Sequence, residues 1–156
     1  MNIYQSLFSP SFVLNEQIAR QIFEVLPEEG IIMLIKDRNG NSWPSDSEGF
    51  ASLNITESFM DNICSQIDDG VEPVISKINN CSIIATQLTT EQNHCGYVIL
   101  ALPGYDSKLT VQNINLIEMI LSQISLIAQL LEKNNRLYEA KVHNLKAAKL
   151  TELNPN

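Results

Sequence analysis

The chain has 156 residues, 44% of them hydrophobic, and a net charge of −8, which suits one domain with its own core and excludes a small disulfide-stapled scaffold. Residues 1–131 hold fifteen Asp/Glu against five Lys/Arg, whereas residues 132–156 hold three against five. An acidic body repels phosphate backbones and the basic tail is sparse, so nucleic acid is not an expected partner.

Met1–Leu14 lacks the basic start and continuous apolar core of a secretory signal. The apolar run 111–131 is interrupted by Gln112, Asn113, Asn115, Glu118, Gln123 and Gln129, so no membrane insertion is expected and the protein is placed in the cytoplasm. Cys64, Cys81 and Cys95 are odd in number and form no C-x-x-C pair, as expected of small buried hydrophobes.

Phe12–Leu26 reads as a helix with Leu14, Ile18, Ile22 and Leu26 on one side, capped by Ser11 or Asn15 and stopped by Pro27. Ile31–Ile35 is an unbroken apolar run, the pattern of a strand covered on both faces. Polar Lys36–Asn41, centred on Asn39-Gly40, predicts a hairpin into Ser42-Trp43, where Pro44 restricts the return strand to an edge. Pro44–Gly49 is a loop by composition. Thr56 caps a helix over Glu57–Ile67 whose buried face carries Phe59, Met60, Ile63, Cys64 and Ile67. Asp68-Asp69-Gly70 ends it, two acids set against the helix dipole.

Val74–Ile78 is a short strand, and Asn79-Asn80 turns into Cys81–Leu88. Cys95–Leu102 runs back, and its arm Tyr97–Leu102 has no polar side, which places it in the middle of the sheet. Placing Leu88 opposite Cys95 puts Cys81 and Cys95 seven positions apart along the ladder, roughly 23 Å, too far for a disulfide.

The last helix begins at Thr110, the expected cap, and runs to about Lys149. On a helical wheel Asn115, Glu118, Ser122, Ser125 and Gln129 make one polar seam, and roughly two-thirds of the circumference of 110–131 is apolar. One sheet needs an apolar stripe only a little over 100° wide. The surplus predicts two partners, the protein's own sheet and something else. Ile124, Leu131, Tyr138 and Leu145 recur at seven, a weak heptad that would extend as a two-chain stalk. Predominantly antiparallel strands with helices packed on them define an α+β domain.

The arrangement of the opening helix, the hairpin Ile31–Trp43 and the segments Ser82–Leu88 and Gly96–Pro103 leading into Thr110–Leu131 resembles the GAF domain family. PAS domains share a similar strand–helix layout. The resemblance covers roughly residues 12–135 and leaves 136–156 as a helical extension for signalling and dimerisation. It implies a central antiparallel sheet of five or six strands, with the N- and C-terminal helices on one face. A dimer interface would then involve Leu116, Ile120, Ile127 and Leu130. It also implies a ligand pocket on the other face, lined by Trp43, Phe50, Phe59, Met60 and Ile63, with Thr86 and Tyr97 as polar handles. The cyclic-nucleotide signature is absent, the bilin context is reversed as His94-Cys95, and the grouped cysteines of methionine-sulfoxide-reducing members are missing.

His94-Cys95 has no second pair at ligand spacing, so no metal is expected, and no cofactor is evident. His143 follows a dimerisation helix, as in a kinase phospho-acceptor, but residues up to 156 supply no ATP-binding domain. No nucleophile with a base, paired carboxylates or phosphate-cradling glycine loop stands out. The expectation is a non-enzymatic regulatory or sensory domain, a homodimer with a small-molecule site. The alternative is an interaction module of the same fold with no ligand.

Overall fold

The computed structural model describes residues 14–24, 30–90 and 94–153. Helix α1 spans Glu16–Phe23, and Asn15 is its cap, the side chain accepting from the Ile18 amide at 2.9 Å. Ser11 and the expected helix ends at Phe12 and Leu26 lie outside the described residues. Ile18, Ala19 and Ile22 make its buried stripe, and Leu14 ahead of the cap joins the same core.

Strand β1 is Ile32–Asp37 and β2 is Ser42–Pro44, antiparallel with Ile35 opposite Trp43 and Leu34 opposite Pro44. Pro44 sits on an edge strand, where its missing N–H leaves no central ladder bond unmade. The connecting turn is organised by Asp37. Its Oδ1 accepts from the amides of Asn39 and Asn41, its Oδ2 accepts from Asn41 Nδ2, and Gly40 takes φ +94°.

The stretch expected to be loop after Pro44 contains a short helix, α2, Ser47–Ser52. Asp46 accepts from the Gly49 amide and opens it, a capping signal carried by one side chain in a segment too short to show helical periodicity. Helix α3, Glu57–Asp68, is capped by Thr56 as expected and buries Met60, Ile63, Cys64 and Ile67.

Strands β3 (Val74–Ile78), β4 (Cys81–Thr89) and β5 (His94–Pro103) complete a five-stranded antiparallel sheet of order β2-β1-β5-β4-β3. Asn79 and Asn80 both have positive φ, the requirement of a type I′ hairpin. β5 lies in the centre and Gly96–Leu102 is buried throughout, because an all-apolar strand is stable only with both faces covered. A bulge between Leu88 and Thr89 sets Leu88 opposite Gly96 rather than Cys95. The shift is one position. Cys81 still pairs with Pro103 at the far end of the hairpin, and all three cysteines are free.

Thr110 does not cap the last helix. Asp106 opens a separate helix, α4, Ser107–Gln112, by accepting from the Leu109 amide at 2.8 Å. Thr110 is buried instead, its hydroxyl donating to Ser82 Oγ at 2.9 Å, while Ser82 donates to the Tyr105 carbonyl. After Asn113 the chain continues as α5, Ile114–Leu153, a helix of 40 residues.

The helices form two layers around the sheet. On one face α1 and α5 pack against Met33, Ile35, Ile84, Leu88, Val98, Leu100 and Leu102. On the other, α3 packs against Leu34, Ile83, Ala85, Ile99 and Ala101. Strand alternation divides the two cores residue by residue. The structure is therefore an α+β domain built on an open antiparallel sheet.

Candidate functional site: a polar cleft and an apolar helix seam

The expected ligand pocket is not assembled as a unit. Phe50, Phe59, Met60, Ile63 and Tyr97 do gather on the α3 face. Trp43 does not, because its register partner Ile35 points to the α1–α5 face, and Trp43 packs there. Thr86 is opposite Val98 and shares that same face, with its hydroxyl donating to the Glu72 carboxylate. Met60 and Ile63 are ordinary core, packed between α3 and the sheet.

The concave site on the α3 side lies instead where charged residues from three elements meet. Lys36 and Tyr97 are direct cross-strand partners on β1 and β5, so both rise toward α3. One helical turn brings Asp61 and another brings Asp68 over them. Lys36 Nζ lies 3.2 Å from Asp61 Oδ1, and the Tyr97 hydroxyl reaches the two oxygens of Asp68 at 2.8 and 2.9 Å. With Arg38 and the β1–β2 turn they border an open cleft of about 420 Å³. Gly96 allows the turn this close, since a Cβ there would collide with the Lys36 carbonyl oxygen and meet Leu14 Cδ1 at 2.9 Å.

His94 stands beside this group, its ring edge-on to Tyr97 with centroids 5.1 Å apart. Its Nε2 is 3.5 Å from Asp68 Oδ1, at the outer limit of hydrogen bonding and without its alignment. Both ring nitrogens are shut off from solvent and lack a hydrogen-bond partner. Burial and the Arg38 charge hold the imidazole below its ordinary value, against the pull of Asp68 and Glu72. The ring is therefore neutral at pH 7.

Burial, the hydrogen bond to Asp68 and that carboxylate's charge push the Tyr97 phenol up to about 12, so it stays a donor. Burial also raises Asp37, but the hydrogen bonds from the Asn41 side chain and from the backbone of Asn41, Asn39 and Gly40 outweigh it and keep the carboxyl below the usual range. Burial pushes Cys95 up to about 11 and raises Cys64 and Cys81 as well, so these thiols are protonated at neutral pH and none is activated as a nucleophile. Among the described residues no group of three or more His, Cys, Asp or Glu is placed to hold a metal ion.

The second feature is on α5. Ile117, Ile120, Ile124 and Ala128 face the sheet and are buried. Ile120, expected at a dimer interface, is 2% exposed and belongs to the protein's own core. Ile127 is half-buried against the same core. Leu116 and Leu130, by contrast, are 42% and 58% exposed, and Met119, Leu126 and Leu137 join them. The expected heptad does not form one seam, since Ile124 is in the core while Leu145 is exposed, and the Tyr138 side chain lies outside the described residues.

Ile114–Asn134 is long and apolar enough to cross a membrane by length and composition, and only 22% of its most apolar window is buried in the protein. Glu118, Asn115 and Ser122 are exposed along its other side. Sequence reasoning foresaw the surplus of apolar surface on this helix. It missed the cleft, whose only hint was a pair of acids at a helix C-terminus, Asp68 and Asp69.

Comparison of the chain with models of protein families, with curated proteins and with solved structures returns no match.

Proposed function

We propose that the protein is a non-enzymatic regulatory domain of GAF-like type, a homodimer joined through α5. The observation that carries this reading is the exposed seam of that helix. Leu116, Leu130 and Leu137 stand at multiples of seven, with Met119 and Leu126 at the intervening three-residue step, the a/d spacing of helices that pair. Such a seam is complementary to itself, the condition for a two-fold interface. Between Ile120 and Gln129 the flanking positions Ser122, Ile127 and Gln129 carry no charge to repel a second copy.

The sheet supports the same occupant. α5 crosses β4, and on the neighbouring strand β3 Ile75 points to the α5 side, opposite Ile84, yet is 56% exposed. A partner helix beside α5 would cover both surfaces. A bilayer fits less well, because insertion would strip Ile117, Ile120, Ile124 and Ala128 from the core. The two-sided helical layering of the sheet, with terminal helices on one side and α3 on the other, is the arrangement a GAF-like domain requires.

Light scattering in detergent-free buffer tests the dimer. The expected mass is twice the 17.5 kDa chain, falling to one chain for Leu126→Lys combined with Leu130→Lys, both solvent-facing positions that leave the core untouched. A wild-type protein that is monomeric at its highest soluble concentration overturns the reading. The filled core under Met60 and Ile63 favours one alternative, an interaction module that acts through the helix with no ligand. Ligand titration separates the two.

A further inference from the structure

We propose that the cleft bordered by Lys36, Arg38, Asp61, Asp68 and Tyr97 is a binding site for a small zwitterion of the α-amino-acid class, its carboxylate held by Lys36 and Arg38 and its ammonium by Asp61 and Asp68. This deepens the regulatory reading by naming the class of signal.

Only some of the charges at the cleft are free to act. Asp37 borders the cleft, but its two oxygens are taken up by the Asn39 and Asn41 amides and the Asn41 side chain. That carboxylate keeps its charge but is committed to the turn, so in a lining of three carboxylates and two cations, Lys36, Arg38, Asp61 and Asp68 are left to meet a ligand. A lining that carries both signs opposes a bare anion with its carboxylates and a bare cation with Lys36 and Arg38, and suits a molecule that itself carries both signs.

The ionic groups are also ready for exchange. Lys36 is mostly buried along its stem while its partner Asp61 is 71% exposed, so a ligand carboxylate can replace Asp61 on the ammonium without disturbing packing. Asp61, once released, faces the incoming ammonium. Asp68 is held by a phenol that stays protonated, and His94 beside it brings no positive charge at pH 7. The Tyr97 hydroxyl thus fixes the orientation of the Asp68 carboxylate from β5. The volume of about 420 Å³ is within the range of small-molecule sites and exceeds what an amino acid needs.

The test is titration of the full chain with the twenty proteinogenic amino acids, followed by amide-resolved NMR at Lys36–Gly40 and Asp61–Asp68. At least one amino acid should bind and shift these signals. Its N-acetyl and carboxamide derivatives, each lacking one charge, should bind at least ten-fold more weakly. Lys36→Met and Asp61→Asn should each weaken binding by ten-fold or more with no change in sedimentation. An N-acetyl derivative that binds as tightly shows an anion site, an equally tight carboxamide shows a cation site, and either overturns the proposal. So does a panel in which no amino acid shifts the cleft signals. The Leu126→Lys, Leu130→Lys variant keeps this cleft intact, so amino-acid binding by that monomer, or its loss in a dimeric Lys36→Met protein, separates failure of the ligand assignment from failure of the dimer.

Discussion

Gly96 shows how one residue can serve both fold and site. It lies opposite Asp37 on β1 and opposite Leu88 on β4, and the space a side chain would need is filled by the Lys36 carbonyl and Leu14. Gly96→Ala should therefore cost about 2 kcal/mol or more in denaturant unfolding, as overpacking of a tight core does, and should shift the Lys36 signals. His94 acts through protonation. Its folded-state pKa lies below the ordinary histidine value of 6.5, so the folded protein prefers the neutral ring. The stability this provides is whole above pH 6.5 and is lost as pH falls through that value and below it. Thermal melts from pH 7.5 to 5.5 should show a falling midpoint in the wild type and a shallower slope in His94→Gln. In the sequence, neither residue announces these roles. Gly96 reads as the start of an apolar strand and His94 as half of a metal pair, since their neighbours Lys36 and Asp68 are distant along the chain.

Elements were legible where local chemistry and burial agree. Thr56 and Asn15 cap helices as their side chains suggest, and the unbroken apolar run of β5 places it in the sheet centre. Thr110 is a good cap by type, yet the last helix starts only at Ile114, after the separate helix α4 that Asp106 opens, and Thr110 lies inside α4 in a buried bridge with Ser82. Thr110→Val should cost about 1–2 kcal/mol, the loss expected when a buried hydroxyl loses its donor. Asp106→Ala should cost about 1 kcal/mol through the cap alone. Hydrogen exchange should localise both effects to α4 and the adjoining turn of α5. Trp43 illustrates a different limit. A strand has a period of two, so one step of register decides the face, and nothing local at Ser42–Pro44 reveals whether Trp43 pairs with Ile35 or its neighbour.

At the scale of the molecule, two helical layers enclose a sheet and one helix continues beyond it. Among the described residues Leu131 is the last of α5 to pack against that core cluster, yet the helix runs to Leu153, so a large part of its length extends beyond the cluster. A domain whose folded state is coupled to self-association should melt at a temperature that rises with protein concentration. Leu126→Lys with Leu130→Lys should abolish that dependence while leaving the far-UV spectrum of the sheet domain intact. The sequence by itself determined most of the elements, the class of fold and the excess of apolar surface on the last helix, because propensity, capping and periodicity act between residues close along the chain. Only the tertiary structure decided which apolar residues that helix spends on its own core, Ile120 rather than Leu116 or Leu130, and which charges meet across β1, α3 and β5. A helical wheel shows how much surface must be covered and is silent on which arc turns inward. Single charged residues all look solvated until the register of a sheet and the placement of a helix bring them together.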